Sequence, residues 1–198
     1  MTSLRPARRF DWRNLGLRAV SALVLIPLVV AAVWFGDLAF LLLIAVAAAL
    51  IAIEWGFMSA PAVGVRMTIA LTIAALAGVF SAYLGHYYIG WMLCAVGALL
   101  CGVLARVLAQ RPEDAAFGVM YIAGPCICIL WLRDLPHGLT WCILVLLVTW
   151  ATDIFAYAVG SVVKGPKLWP RFSPNKTWSG FVGGLSGAVI AAVVLAAI

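Results

Sequence analysis

Thr149, Asp153 and Tyr157 recur every fourth residue inside an otherwise apolar run, and the cations Lys164, Lys167, Arg171 and Lys176 follow in one short connection. At that spacing the three polar side chains form a stripe on one helix face. A carboxylate inside a hydrophobic segment costs roughly 2.5–3.5 kcal/mol by insertion scales, so Asp153 marks a candidate for function, holding a metal or the geometry of a site. Glu54, followed by Trp55, is the second acid in an apolar run. The competing reading for both acids is a structural pairing with a hydroxyl or cation on a neighbouring helix.

The connection itself reads "RFSPNKTWSG" over residues 171–180, with no acid between Asp153 and residue 198. Ser173 suits an N-cap and Pro174 a first helical residue. A helix starting there is predicted to aim the N–H groups of Asn175 and Lys176 at an anion. With cations on either side and the hydroxyl of Thr177 nearby, phosphate is the expected occupant. The alternative is plain anchoring of a loop on the basic side of a membrane, with Trp169 and Trp178 at the interface. No GxxxxGK[ST] run occurs, so a P-loop is not the explanation.

The elements that must position these groups are membrane spans. Of 198 residues, 66% are hydrophobic and 10% charged, against about a quarter charged in soluble domains. At about 20 residues per span, the length accommodates six or seven helices. Apolar runs at 19–35, 38–57, 67–84, 88–108, 115–132, 139–160 and 179–198 predict an all-α polytopic bundle of about seven spans. The first run ends in Trp34 and Phe35 and lacks a small-residue cleavage site, so it reads as an uncleaved span and not as a signal peptide.

Residues 1–18 form a basic arm, residues 19–198 a transmembrane domain, and residues 161–178 a loop within it. With the N-terminus inside, all 13 Lys and Arg except Arg133 fall on the inner side, which predicts a cytoplasmic N-terminus and a cytoplasmic loop. The net charge of +6 is spread between apolar runs and forms no basic face, which excludes nucleic acid as the expected partner. Cys94, Cys101, Cys126, Cys128 and Cys142 lack zinc-type spacing and read as small buried hydrophobes. His86 and His137 fall in the outer loops and are given no role. Gly180, Gly183, Gly184 and Gly187 hold two GxxxG pairs that predict close helix packing, with span six as the expected neighbour. The apolar end at Ile198 leads us to expect a longer polypeptide.

The segment "TDIFAYAVGSVVKGPKLWPRFSPNKTWSGFVGG" resembles the Asp-x-x-Ala-Tyr…Ser-Pro-Lys/Asn-Lys-Thr-Trp-x-Gly segment of phosphatidate cytidylyltransferases, and Glu54-Trp55 is similar to a pair in the same family. The resemblance implies transfer of CMP from CTP to phosphatidate with Mg²⁺, at the cytoplasmic face of a bacterial inner membrane. It implies Asp153 and Lys176 as catalytic, with Asp153 and Glu54 toward the metal. Lys167, Arg171, Ser173, Asn175 and Thr177 would line the substrate phosphates. Ser179 stands where many members have glutamate. The family's further C-terminal signature has no counterpart here, so the 198 residues are expected to show little activity alone. Pairing of two copies as a homodimer is open on the sequence. A small transporter or channel subunit using Asp153 and Glu54 is the alternative; it leaves the Ser-Pro-Asn-Lys-Thr run unexplained.

Overall fold

The computed structural model describes residues 12–197, with side chains from residue 23 onward. Arg5, Arg8 and Arg9 of the basic arm, and Ile198, lie outside the described residues. Seven α-helices follow one another: α1 Trp12–Phe35, α2 Asp37–Ser59, α3 Gly64–Tyr83, α4 Tyr87–Val107, α5 Pro112–Asp134, α6 Gly138–Val162 and α7 Trp178–Ala196. A two-stranded hairpin, β1 Lys167–Trp169 and β2 Ser173–Thr177, joins α6 to α7. Among the described residues, α2 to α7 are each long and apolar enough to cross a membrane, and α1 is apolar over Leu23–Phe35. The protein is an all-α, multi-pass membrane bundle.

The turns fix two ends. At one end, Arg133 on α5 donates from Nε to the Val33 carbonyl at 3.2 Å, supplying a donor to the last turn of α1. Tyr87, at the start of α4, donates to Asp134 at the end of α5. The connections after α1, α3 and α5 therefore meet there. At the other end, Trp55 near the end of α2 donates from its indole nitrogen to the Asp114 carbonyl at 2.9 Å. Pro112 opens α5 with Glu113 and Asp114 in the first turn, which suits the positive N-terminal end of the helix dipole. Apart from Arg133, the cations with described side chains belong to this second end, as the partition of charge predicts.

The core is a block of α2 to α5 in which α3 is central, packed on α2, α4 and α5. Met67, Leu71, Ala75 and Val79 recur every four residues along α3 and are fully enclosed. Against them stand Cys94, Cys101 and Ala105 of α4, with Val119, Ile122 and Ile127 of α5. Cys94, Cys101, Cys126 and Cys142 are buried as expected, whereas Cys128 is exposed and faces outward. On a lipid-facing helix surface a thiol is simply another apolar group, so burial is not required of it.

The remaining two helices form a hairpin of their own. α7 packs along α6, and α6 meets α5 and α1. Only Gly138 and Cys142, both in its first turns, are buried on α6. On α7 only Gly180, Gly183, Gly184 and Gly187 are buried. Those glycines do face the sixth span. A methyl group placed on Gly183 would lie 2.6 Å from Val159 Cβ, and one on Gly180 would lie 2.8 Å from the Ala156 carbonyl oxygen. The two backbones approach as closely as small residues allow.

Candidate functional site

The connection after α6 is not the helix start that Ser173 and Pro174 suggest. Residues 173–177 are β2, and α7 begins at Trp178. Proline disfavours the α conformation in the residue before it, and Pro166, Pro170 and Pro174 recur four apart. Trp169 and Ser173 are pushed toward extended backbone, Gly165 turns the chain at φ 111°, and the segment folds back on itself as two short strands. Lys167 pairs opposite Thr177 and Trp169 opposite Ser173, with an irregularity between the pairs that takes up the longer strand. Pro174 has no N–H to give to a ladder, which an edge strand of a two-stranded ribbon tolerates.

Thr177 is the N-cap in place of Ser173. Its backbone is extended, and its side-chain oxygen accepts from the Gly180 N–H at 3.1 Å. The Trp178 N–H donates to the Pro166 carbonyl at 3.1 Å. Two N–H groups in the first turn of α7 are thus already bonded within the protein, and the helix-terminus anion site expected at Asn175 and Lys176 is corrected by this geometry. Ser179 bonds the Thr177 hydroxyl at 3.0 Å and donates to the Lys164 carbonyl, tying the end of α6 to the start of α7. Thr177 is buried, so its role is to position α7. Replacing it with valine should cost about 0.5–2 kcal/mol at that helix start. The expected readout is faster amide exchange at Gly180 and its neighbours in the first turn, with Thr177→Ser close to wild type.

The cations are presented outward. Lys164, Lys167, Arg171 and Lys176 are all exposed, and the ion pairs among the described residues involve Arg111 with Glu113 and Asp114 only. Arg171 lies over the Phe172 ring, 5.7 Å from its centroid, and Phe172 meets Trp169 edge-on at 5.2 Å. This cation–π contact steadies the guanidinium at the hairpin tip while leaving its donors free. Alternation along β2 puts Ser173, Asn175 and Thr177 on one face and Lys176 on the other. The hairpin is a ribbon of positive charge, not neutralised by any ion pair among the described residues, at the end of two membrane helices, with polar side chains between the cations.

Asp153 lies on α6, exposed, on the flank of the helix beside the α7 contact. Glu54 is exposed on α2, in the half of that helix nearest the same end of the bundle. Each hydroxyl on α6 beside the acid bonds its own helix: Thr149 to the Val145 carbonyl and Thr152 to the Val148 carbonyl. Among the described residues no three His, Cys, Asp or Glu side chains gather into a group able to hold a metal ion. The sequence missed Ser179, which closes the loop; its place beside a capping threonine was the available signal.

These observations can be set against known proteins. The phosphatidate cytidylyltransferase of Brucella abortus biovar 1 (strain 9-941) is 38% identical over 110 residues, covering 54% of this chain and 41% of that protein. The protein of the same name from Staphylococcus saprophyticus is 43% identical over 83 residues, covering 41% of this chain and 32% of its own. That from Staphylococcus aureus (strain COL) is 40% identical over 78 residues, covering 39% and 30%. The chain thus spans less than half the length of these curated relatives. The model of the cytidylyltransferase family matches residues 16–198, a stretch that takes in the core block, the α6–α7 hairpin and the cationic ribbon between them, and the chain belongs to that family.

Proposed function

We propose that this protein transfers CMP from CTP to phosphatidate, forming CDP-diacylglycerol and pyrophosphate, at the cytoplasmic face of a bacterial inner membrane. The observation that carries the reading is the ribbon of exposed cations Lys167, Arg171 and Lys176, without an ion pair among the described residues, at the membrane end of a bundle of this family. Two anionic phosphate substrates have to meet there, one carried in the membrane and one in solution. An oxygen of the lipid phosphate attacks the α-phosphorus of CTP; the bond from that phosphorus to the bridging oxygen of the β-phosphate breaks, and its electron pair leaves with pyrophosphate. Fixed cations align the two anions and offset the charge that builds up on the leaving group. Lys176 and Lys167 would supply that charge, Arg171 a forked pair of donors, and Ser173 and Asn175 hydrogen bonds to phosphate oxygens.

Mg²⁺ is the metal expected with a nucleoside triphosphate. The described residues do not fit a complete site for it, since Asp153 and Glu54 lie on helices that share no packed face. No step of this reading runs through a metal ion. Asp153 is assigned to the edge of the site, where it would orient groups beside the ribbon. The same separation tells against the transporter alternative, which needs the two acids on one path.

The test is the conversion of CTP by membranes from cells expressing the gene's full product, with phosphatidate added. Label in the α-phosphate should enter the lipid fraction, and label in the γ-phosphate should appear as pyrophosphate. Absence of lipid-soluble label in phosphatidate-fed, expressing membranes would overturn the proposal.

A further inference from the structure

Among the described residues, Arg133 is the one Lys or Arg at the end of the bundle opposite the cationic ribbon. It lines a cavity of about 320 Å³ between the ends of α2, α3 and α5, together with Asp37 and Phe40 of α2, Tyr83 of α3 and Asp134 of α5. That volume lies at the small end of the range of about 300–1,000 Å³ for ligand sites, which suits a compact occupant. Arg133 is half-buried, and its Nε is committed to the Val33 carbonyl. Its Nη2 is turned to the chain between α1 and α2, where a methyl group on Gly36 would lie 2.8 Å from it. Asp37 follows that glycine and Asp134 follows Arg133, yet neither carboxylate forms an ion pair with the guanidinium. We propose that this cavity binds a zwitterion, an ammonium joined to an oxyanion a few atoms away, with the oxyanion on Arg133 and the ammonium on Asp37 and Asp134.

The mixed lining disfavours simpler occupants. No three His, Cys, Asp or Glu side chains gather to hold a metal ion among the described residues, and the guanidinium would repel one. A lone anion on Arg133 would face two carboxylates, and a lone ammonium on the carboxylates would face Arg133. A zwitterion answers both signs at once. The guanidinium offers a fork of donors whose geometry matches a carboxylate or phosphate. Asp134 accepts from the Tyr87 hydroxyl through Oδ2, which fixes the carboxylate and leaves Oδ1 to accept from an ammonium. Phe40 and Tyr83 add aromatic walls, which attract an ammonium wherever it meets a ring face. Because Arg133 also grips the last turn of α1, an occupant would tie four helix ends together. The cavity is remote from the ribbon, and its filling is independent of CMP transfer. Two sources carry this chemistry: the ethanolamine-phosphate head group of a membrane lipid, and a dissolved zwitterion such as glycerophosphoethanolamine.

The test is native mass spectrometry of the gene's full product in detergent, offered equal amounts of phosphatidylethanolamine and phosphatidylglycerol with the same acyl chains. Only the head group then differs. One molecule of the zwitterionic lipid should bind per chain, preferred about tenfold, the equivalent of one charge-assisted hydrogen bond. Asp37→Asn, which keeps the size of the side chain, should remove most of that preference while the unfolding midpoint without lipid stays at the wild-type value. Arg133→Gln should weaken binding of the zwitterionic lipid by about tenfold, since the oxyanion loses its forked partner. It also gives up the bond to Val33, so Asp37→Asn is the decisive variant. Arg66→Gln removes an exposed cation at the ribbon end and should leave the preference intact. Displacement of the lipid by millimolar glycerophosphoethanolamine would support a site filled from solution. A lipid that stays bound, yet loses its preference in Asp37→Asn, would support the membrane as the source. Equal binding of the two lipids by the wild type, a preference that survives Asp37→Asn, or one that Arg66→Gln abolishes as well would each overturn the proposal.

Discussion

Lys176→Ala is expected to lower CTP-dependent turnover of the gene's full product by about 10²-fold or more, while the amount of protein in the membrane stays near wild type. Removing one preorganised charged donor from a developing oxyanion typically costs about 2.7–4 kcal/mol of transition-state stabilisation. Lys176 is exposed on β2 and makes no ion pair among the described residues, so its loss should leave folding intact. The expected pattern is a fall in kcat with a smaller rise in KM for CTP, and partial recovery with Lys176→Arg. Arg106→Ala is the comparison, because Arg106 is an exposed cation at the same end of the bundle but on α4. It should stay within about twofold of wild type, since a remote surface charge acts weakly across more than a Debye length of ~8–10 Å. Equal and mild effects of the two substitutions would make the ribbon a membrane anchor.

Gly183→Val should be the most damaging single change to the hairpin. Its first added carbon would already lie 2.6 Å from Val159 Cβ and 2.7 Å from Val159 Cγ2, well inside van der Waals contact. Overpacking typically costs about 1–3 kcal/mol, and here relief requires the two helices to separate, which also strains the bonds that Thr177 and Ser179 make across the loop. The thermal unfolding midpoint in detergent should fall by several degrees, and turnover should fall with it because the ribbon is carried on this hairpin. Val159→Ala in the same chain removes the colliding Cγ1 and Cγ2 atoms while keeping Cβ, and should restore part of both. A double-mutant cycle should then show a coupling of about 0.5–3 kcal/mol. No coupling would mean that the α6–α7 contact is not made at Gly183.

The helices were legible because length and apolarity alone define a span, and every expected run coincides with a helix to within a few residues, apart from the first turns of α1. Which face each helix buries was much less legible. In a membrane both the core and the surroundings are apolar, so hydrophobic periodicity loses its meaning. Cys128, read as buried, faces outward, while its near neighbour Cys126 is buried. Residue size is the better guide: the enclosed positions of α4 are Gly90, Cys94, Gly97, Ala98, Cys101, Gly102 and Ala105. The glycines of α7 obeyed that rule, and their partner helix was correctly expected.

The candidate site was legible as composition and illegible as local shape. Ser-Pro is compatible with a helix start and with an extended segment, because both require an extended serine. What decided between them was non-local. Lys167 and Trp169 pair across the turn, and Thr177 rather than Ser173 supplies the oxygen for the first helical turn. Asp153 was legible as an unusual residue, yet its position on the flank beside the α7 contact depends on which face of α6 meets α7. That contact is set by Gly180, Gly183, Gly184 and Gly187.

The block of α2 to α5 is continuous in sequence and supplies nearly all of the buried core, to which α1 adds Val33 and α6 adds Cys142. Chains are made from the N-terminus at about 5–20 residues per second, and units of this kind fold as they emerge. The wall that receives α6 is therefore complete before the cationic ribbon has been synthesised. The last two helices then enter as a pair, joined to that wall chiefly through the first turns of α6 around Gly138 and Cys142. Native-state exchange should accordingly divide the protein into two cooperative units, the hairpin opening at lower free energy than the block. Damage confined to the hairpin would then leave a protein that still inserts and keeps its α2 to α5 block, but has lost its cationic end.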